Sequence, residues 1–297
     1  MIVTKKAFYE GHSDCVYTLC GALEKDYFYS AGGDGNVVLW NSNKPEEGKK
    51  VAQVDSSVYA LNFNQEKKQL VIGQNFDGIH VLDVENNTLV TSVSVTKSAI
   101  FDIYRTEKNI FIGCGDGEVV VLDSTDFTTV KKIKFSDKSC RTITADINGN
   151  VYFGFSDCMI RVLDAESLTL KKEFKAHENS VFGVSYYEEG DLVYSVSRDA
   201  HIRCWDVKND FKELEAIPAH MYAINDIQFK GDLYATCSMD KSIKIWNAKT
   251  NELLKVIEKS KYPSHGTSIN KILWLTTDEL ISCSDDRKVA SWEIQLD

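Results

Sequence analysis

His177-Glu178-Asn179-Ser180-Val181 opens the stretch that decides the fold, and Cys204-Trp205-Asp206 closes it. Between them lie an alternating run to Tyr187, a Glu188-Glu189-Gly190-Asp191 turn, Leu192-Val193-Tyr194-Ser195, Val196-Ser197-Arg198-Asp199, and Ile202-Arg203. Three short strands are legible, each rich in β-branched or aromatic residues and each bounded by turn residues. None is long enough to be stable alone, so the unit needs neighbours of its own kind.

The chain supplies them by repetition. The residue ending the third strand recurs as Trp40, Leu82, Leu122, Leu163, Trp205, Trp246 and Trp292, at steps of 42, 40, 41, 42, 41 and 46. A polar residue follows each: Asn41, Asp83, Asp123, Asp164, Asp206, Asn247 and Glu293. An Asp precedes six of the anchors by six positions, as Asp34, Asp116, Asp157, Asp199, Asp240 and Asp286. Blade two departs, because Asp77 lies five before Leu82, and the spacing predicts a turn tightened by one residue. A period near forty with four strands per unit is that of propeller blades. The expected fold is all-β: a seven-bladed β-propeller of four-stranded antiparallel blades.

This pattern resembles the WD-repeat β-propeller family over essentially the whole chain. The residues that carry the likeness are Trp205-Asp206, Trp246-Asn247, Trp40-Asn41, the Gly11-His12 opening and the Asp turns.

The 297 residues form one propeller domain, with blades near 10–54, 55–95, 96–135, 136–175, 176–218, 219–258 and 262–297. The N-terminal strand, 2–9, is expected to complete the last blade. Lys5-Lys6-Ala7-Phe8-Tyr9-Glu10-Gly11-His12 looks like Lys171-Lys172-Glu173-Phe174-Lys175-Ala176-His177, an outer strand running into the next blade. The last blade stops one strand short after Trp292. Pairing the two ends closes the ring and removes an open sheet edge. Asn41 to Lys50 reads as a polar loop, and Glu258 to Ser264 as an insertion that serves as a plain loop or a partner contact.

Composition narrows the function. A net charge of −10 disfavours nucleic acid as the main partner. No apolar run approaches the roughly 20 residues that span a bilayer, and Met1 to Gly11 lacks an apolar signal core, so no membrane role is expected. The eight cysteines lack a Cys-x-x-Cys pair and sit in strand positions, as Cys204, Cys237 and Cys283 do. They read as apolar fillers in a reducing, cytoplasmic setting rather than disulfides or zinc ligands.

Four blades carry His, Ser or Thr, Asp and Trp at matched spacing. They are His12, Ser30, Asp34, Trp40; His177, Ser195, Asp199, Trp205; His220, Thr236, Asp240, Trp246; and His265, Ser282, Asp286, Trp292. A nucleophilic triad is recognised by geometry in one pocket, so recurrence in four blades argues against catalysis. The resemblance implies instead a buried chain in which Asp holds His, His meets the hydroxyl, and the hydroxyl meets the indole. A buried indole donor needs such a partner. In blades two, three and four the anchor is Leu, the hydroxyl position is apolar (Ile72 or Gly73, Ile112, Phe153), and the His is missing. The parts vanish together, as parts that serve one another should. Gly33-Asp34-Gly35 and Gly115-Asp116-Gly117 lack P-loop or EF-hand spacing and read as tight turns with positive φ at Gly.

By the same resemblance, partners dock around the central channel. The register assigns Tyr17, Tyr59, Phe101, Arg141, Phe182, Asn225 and Asn270 to the starts of the inner strands, and Arg198 and Met239 to positions before turn aspartates. Aromatics and Arg dominate interface hot spots. Arg198 is expected near Arg141 and Phe182, where two arginines could seat a carboxylate or phosphate. The expectation is a non-catalytic scaffold that binds a protein or peptide on the channel face, without cofactor or metal, and monomeric outside its complex. Two alternatives stay open. One is a metal-dependent hydrolase or lactonase-like enzyme at the channel mouth, for which Asn225, Asn270 and Asp102 are near but no His is free. The other is a subunit that docks through its rim.

Overall fold

The computed structural model describes residues 1–295, and Leu296 and Asp297 lie outside them. Seven four-stranded antiparallel sheets form the ring. Six are consecutive in sequence, from inner to outer strand. Their inner strands are Val16–Gly21, Val58–Asn64, Ile100–Arg105, Cys140–Ala145, Val181–Tyr187 and Ile224–Lys230, and that of blade seven is Ile269–Trp274. Valine, isoleucine and aromatics dominate these strands because both faces of each blade pack on neighbours. Buried side chains form one cluster after another between adjacent blades.

The N-terminal strand, Ile2–Glu10, is the outer strand of blade seven and pairs antiparallel with Lys288–Gln295. Tyr9 locks this closure. Its ring is 1% exposed and meets Phe28 and Trp40 of blade one edge-on, at 5.1 and 5.6 Å. Its hydroxyl lies 3.1 Å from both the Ser42 carbonyl oxygen and Ser291 Oγ. Burial, only partly offset by Ser291, pushes the phenol up to about 12.

Two expectations are corrected. Blade two's turn is not tightened: Gly73 and Ile79 enclose as many residues as Ala31 and Val37. Phe76 takes the place of the turn Asp, and Asp77 sits one step later. The Ser/Thr position of this blade is Ile72, which pairs with His80 as Ser30 pairs with Val38. The supposed loop from Asn41 to Lys50 is mostly strand: Lys44–Gln53 is the outer strand of blade one, with a wide register break opposite Trp40. Gly48 permits it, since a Cβ there would fall 2.3 Å from the Trp40 ring.

The Gly turns behave as their composition requires. Gly35 and Gly117 have φ of 70° and 89°, and a Cβ on Gly117 would lie 2.0 Å from the Ser136 carbonyl oxygen.

The inner strands share one irregularity. Each breaks register after its first residue, between Val16/Thr18, Val58/Ala60, Ile100/Asp102, Cys140/Thr142, Val181/Gly183, Ile224/Asp226 and Ile269/Lys271. A β-bulge re-aims one side chain. The seven bulged residues are Tyr17, Tyr59, Phe101, Arg141, Phe182, Asn225 and Asn270.

Candidate functional site

The His, hydroxyl, Asp and Trp sets meet in all four blades. In blade five the Trp205 indole N–H donates to Ser195 Oγ at 2.8 Å, Ser195 Oγ lies 2.8 Å from His177 Nε2, and His177 Nδ1 lies 3.0 Å from the Asp199 carboxylate. The indole can only donate, so the hydroxyl gives its proton to Nε2 and the neutral ring donates from Nδ1. Asp199 also accepts the backbone N–H of Glu178 and of His201. Blades one, six and seven repeat this: Trp40, Ser30, His12, Asp34; Trp246, Thr236, His220, Asp240; and Trp292, Ser282, His265, Asp286. All four hydroxyl residues are fully buried, so none can reach a substrate.

These networks make stability depend on pH. Burial lowers the pKa of His177 and His220 below the ordinary 6.5, outweighing their aspartates. Burial opposes the charge on Asp199 and Asp240, but their hydrogen bonds to these histidines hold both pKa values low. The unfolded chain thus binds more protons than the fold as pH drops beneath 6.5. The stabilisation is present above that pH and is lost as pH falls through the histidine window, with a further loss below the usual carboxylate range. The melting temperature is expected to drop between pH 7 and pH 5. At pH 7, His177→Ala should cost about 1–3 kcal/mol by leaving buried partners unsatisfied, and it should flatten that drop. An unaltered pH slope with no loss at pH 7 would count against the network.

Blade four replaces His with Arg. Arg161 ion-pairs with Asp157 at 2.9 Å and with Glu173 at 3.2 Å, and lies over the Phe155 ring at 4.6 Å. Sequence reasoning missed Arg161; an Asp turn without a loop His was the available signal.

The bulged residues of blades one to five form one continuous arc. Tyr17 meets Tyr59 edge-on at 4.7 Å, and Tyr59 stacks on Phe101 at 5.5 Å. The Arg141 guanidinium lies 3.8 Å from the Phe101 centroid and 4.8 Å from that of Phe182. All five are half-buried. Burial lowers the pKa of Arg141, partly opposed by Tyr59. Among the described residues Arg141 has no hydrogen-bond or ion-pair partner, so an in-plane edge of a charged group remains available between two rings.

The other expected site residues make contacts of a different kind. Asn225 donates from Nδ2 to the Ile269 carbonyl at 2.8 Å, and Asn270 to the Val16 carbonyl at 2.9 Å and to Asp285 at 2.8 Å. Both strap their blade to the next. Arg198 is exposed, and its side chain makes no ion pair among the described residues. Met239 is exposed on blade six with Met221 and Tyr222, two residues the sequence reading missed.

Beside the bulges lies a charged set. Lys271 of blade seven ion-pairs with Asp226 of blade six at 3.4 Å. Desolvation disfavours the ammonium, yet Asp226 and Asp102 of blade three together raise its pKa. Asp102 accepts the N–H of Ile143 at 2.7 Å and of Ile103 at 3.0 Å. Both its oxygens are engaged. Among the described residues no group of three or more His, Cys, Asp or Glu could hold a metal, and no helix is long and apolar enough to cross a membrane.

The seven sheets define a seven-bladed propeller, and the bulged residues of blades one to five give it a continuous aromatic–cationic arc. The chain belongs to the family described as Domain of unknown function (DUF5074), whose model matches residues 16–273. It is similar to Nuclear distribution protein PAC1 of Arthroderma benhamiae, 28% identical over 139 residues, covering 42% of this chain and 29% of that protein. It is also similar to Eukaryotic translation initiation factor 3 subunit I of Aspergillus terreus, 36% identical over 84 residues, covering 28% of this chain and 25% of that one. Lissencephaly-1 homolog 1 of Paramecium tetraurelia is 37% identical over 70 residues, covering 24% and 17%. The chain thus spans less than a third of the length of these curated relatives. Among solved structures, the WD40 beta propeller domain of Doa1 superposes with a TM-score of 0.86 at 17% identity, covering 99% of this chain and 97% of that one. That likeness shows the fold.

Proposed function

We propose that this protein is a non-catalytic scaffold that binds a partner protein through an extended peptide on the channel face. The peptide places an apolar side chain on Tyr59 and Phe101 and an acidic group on Arg141. The protein acts in the cytoplasm, needs no cofactor, and is monomeric outside the complex. The observation that carries this reading is Arg141, a cation held between two aromatic rings without an anion of its own among the described residues. Leaving such a charge unpaired is costly, and a carboxylate presented in the guanidinium plane would complete it. Arg and aromatics are also the residue types whose truncation costs most at interfaces. Relatives named as an initiation-factor subunit and as nuclear distribution proteins support a role in assemblies. Asp102, committed to two backbone N–H groups, offers little to the enzymatic alternative.

The test is a pull-down with mass spectrometry, comparing the wild type with a Tyr59→Ala, Arg141→Ala double variant of matched melting temperature. The variant is expected to lose a defined set of interactors. Recovery of every interactor would defeat the channel-face placement and favour the rim.

A further inference from the structure

Phe76 stands where the other six blades place Asp34, Asp116, Asp157, Asp199, Asp240 and Asp286. Its φ is 66°, in the left-handed region that bulky side chains avoid. Its ring is 61% exposed. Phe127 and Phe211 share this backbone conformation, but their rings contribute to packing: Phe127 is buried, and Phe211 stacks on Phe174 at 5.2 Å. Phe76 has no aromatic partner among the described residues. It gives the fold neither burial nor an easy turn. Cys158, Ala200, Lys241 and Arg287 also have positive φ in the corresponding turns of their blades, so what sets Phe76 apart is a large apolar ring left exposed there.

Its position is fixed. The Phe76 N–H donates to the Ser98 carbonyl at 2.9 Å, and the neighbouring Asn75 side chain accepts the Ile100 N–H at 2.8 Å. Ile100 is followed by Phe101, the ring that links Tyr59 to Arg141. The turn of blade two is therefore tied to the strand start that carries the centre of the arc. The arc of cation and stacked aromatics thus shares a strand start with the turn that carries an exposed phenyl ring. On a chain of net charge −10, a polyanionic ligand would be repelled. One carboxylate accompanied by apolar groups fits.

We propose that Phe76 is a ligand-contacting residue, the outer wall of the channel-mouth site. It takes a bulky apolar side chain of an extended peptide whose carboxylate rests on Arg141. This deepens the channel-face reading and depends on it.

Short random peptides displayed on phage would be selected on the wild-type protein, and the tightest binder synthesised. Its affinity would be measured for the wild type, Phe76→Gly, Phe76→Tyr and the Tyr59→Ala, Arg141→Ala double variant. The selected peptide is expected to pair an acidic group with a bulky apolar residue. Phe76→Gly should weaken binding by about tenfold or more, as an interface aromatic does. It should nevertheless melt at or above the wild-type temperature, since Gly adopts this φ freely. Phe76→Tyr should bind nearly as the wild type does. If Phe76→Gly binds as the wild type while the double variant does not, the inference fails and the channel-face reading stands. A lowered melting temperature for Phe76→Gly would make Phe76 a packing residue and also overturn the inference. If neither variant changes affinity, or no acidic-apolar peptide is selected, both fail.

Discussion

Deleting residues 1–9 is expected to leave little soluble protein, and what remains should melt far earlier than the wild type. The deletion removes the outer strand of blade seven and with it Val3 and Tyr9, both buried. Truncating one large buried aromatic costs about 3–5 kcal/mol, against a net stability of about 5–15 kcal/mol for a whole domain. The strand pairing and the hydroxyl's two contacts on Ser42 and Ser291 are lost as well. The exposed edge of Lys288–Gln295 would then be free to pair with other chains. Tyr9→Ala separates these effects, because it keeps the strand and removes only the lock on Phe28 and Trp40. A melting curve unchanged by the deletion would mean that this strand does not close the ring.

The second large effect is expected at Lys271. Lys271→Met should destabilise the protein by up to about 3 kcal/mol, the cost of leaving a buried charged acceptor without its partner, since Asp226 is buried while Lys271 is 29% exposed. Asp226 has a 5% exposed side chain whose pKa burial already raises against the pull of Lys271, so without its cation it must either hold an uncompensated charge or take up a proton, although one oxygen still accepts the Ile272 N–H at 3.2 Å. Asp102 would lose the same cation's field from across the ring. Adding Asp226→Asn to Lys271→Met should restore part of the loss, because the uncompensated charge is gone. Equal melting temperatures for Lys271→Met and the wild type, read by calorimetry, would refute this account of the charged set.

Much of this molecule is readable from residue spacing. The seven anchors and the Asp turns give blade number and register, because every blade must present the same face to its neighbours. The strand-completing role of 2–9 follows from its likeness to the strand before His177. The four Trp-linked hydroxyls could be matched because a buried indole demands an acceptor. Other features depend on what only the folded chain brings together. Phe76 was hidden because Asp77 mimics a turn Asp displaced by one step, and only strand pairing shows that the turn has its full length. Lys44–Gln53 was hidden by its charge, since an outer edge strand has little apolar pattern. Asn225 and Asn270 occupy the same bulge as Tyr59, and nothing in their spacing reveals that neighbouring blades provide carbonyls to hold them. Arg161 looks like any strand arginine until Asp157, Glu173 and the Phe155 ring gather around it.

Hydrogen exchange on the complex with the captured partner, compared with the free protein, tests the functional claim most directly. Protection is predicted at the inner-strand starts 16–18, 58–60, 100–102, 140–142 and 181–183, and at the blade-two turn 75–77. Protection confined to outer strands such as Thr129–Lys134 and Lys212–Pro218, with the inner-strand starts unchanged, would contradict it.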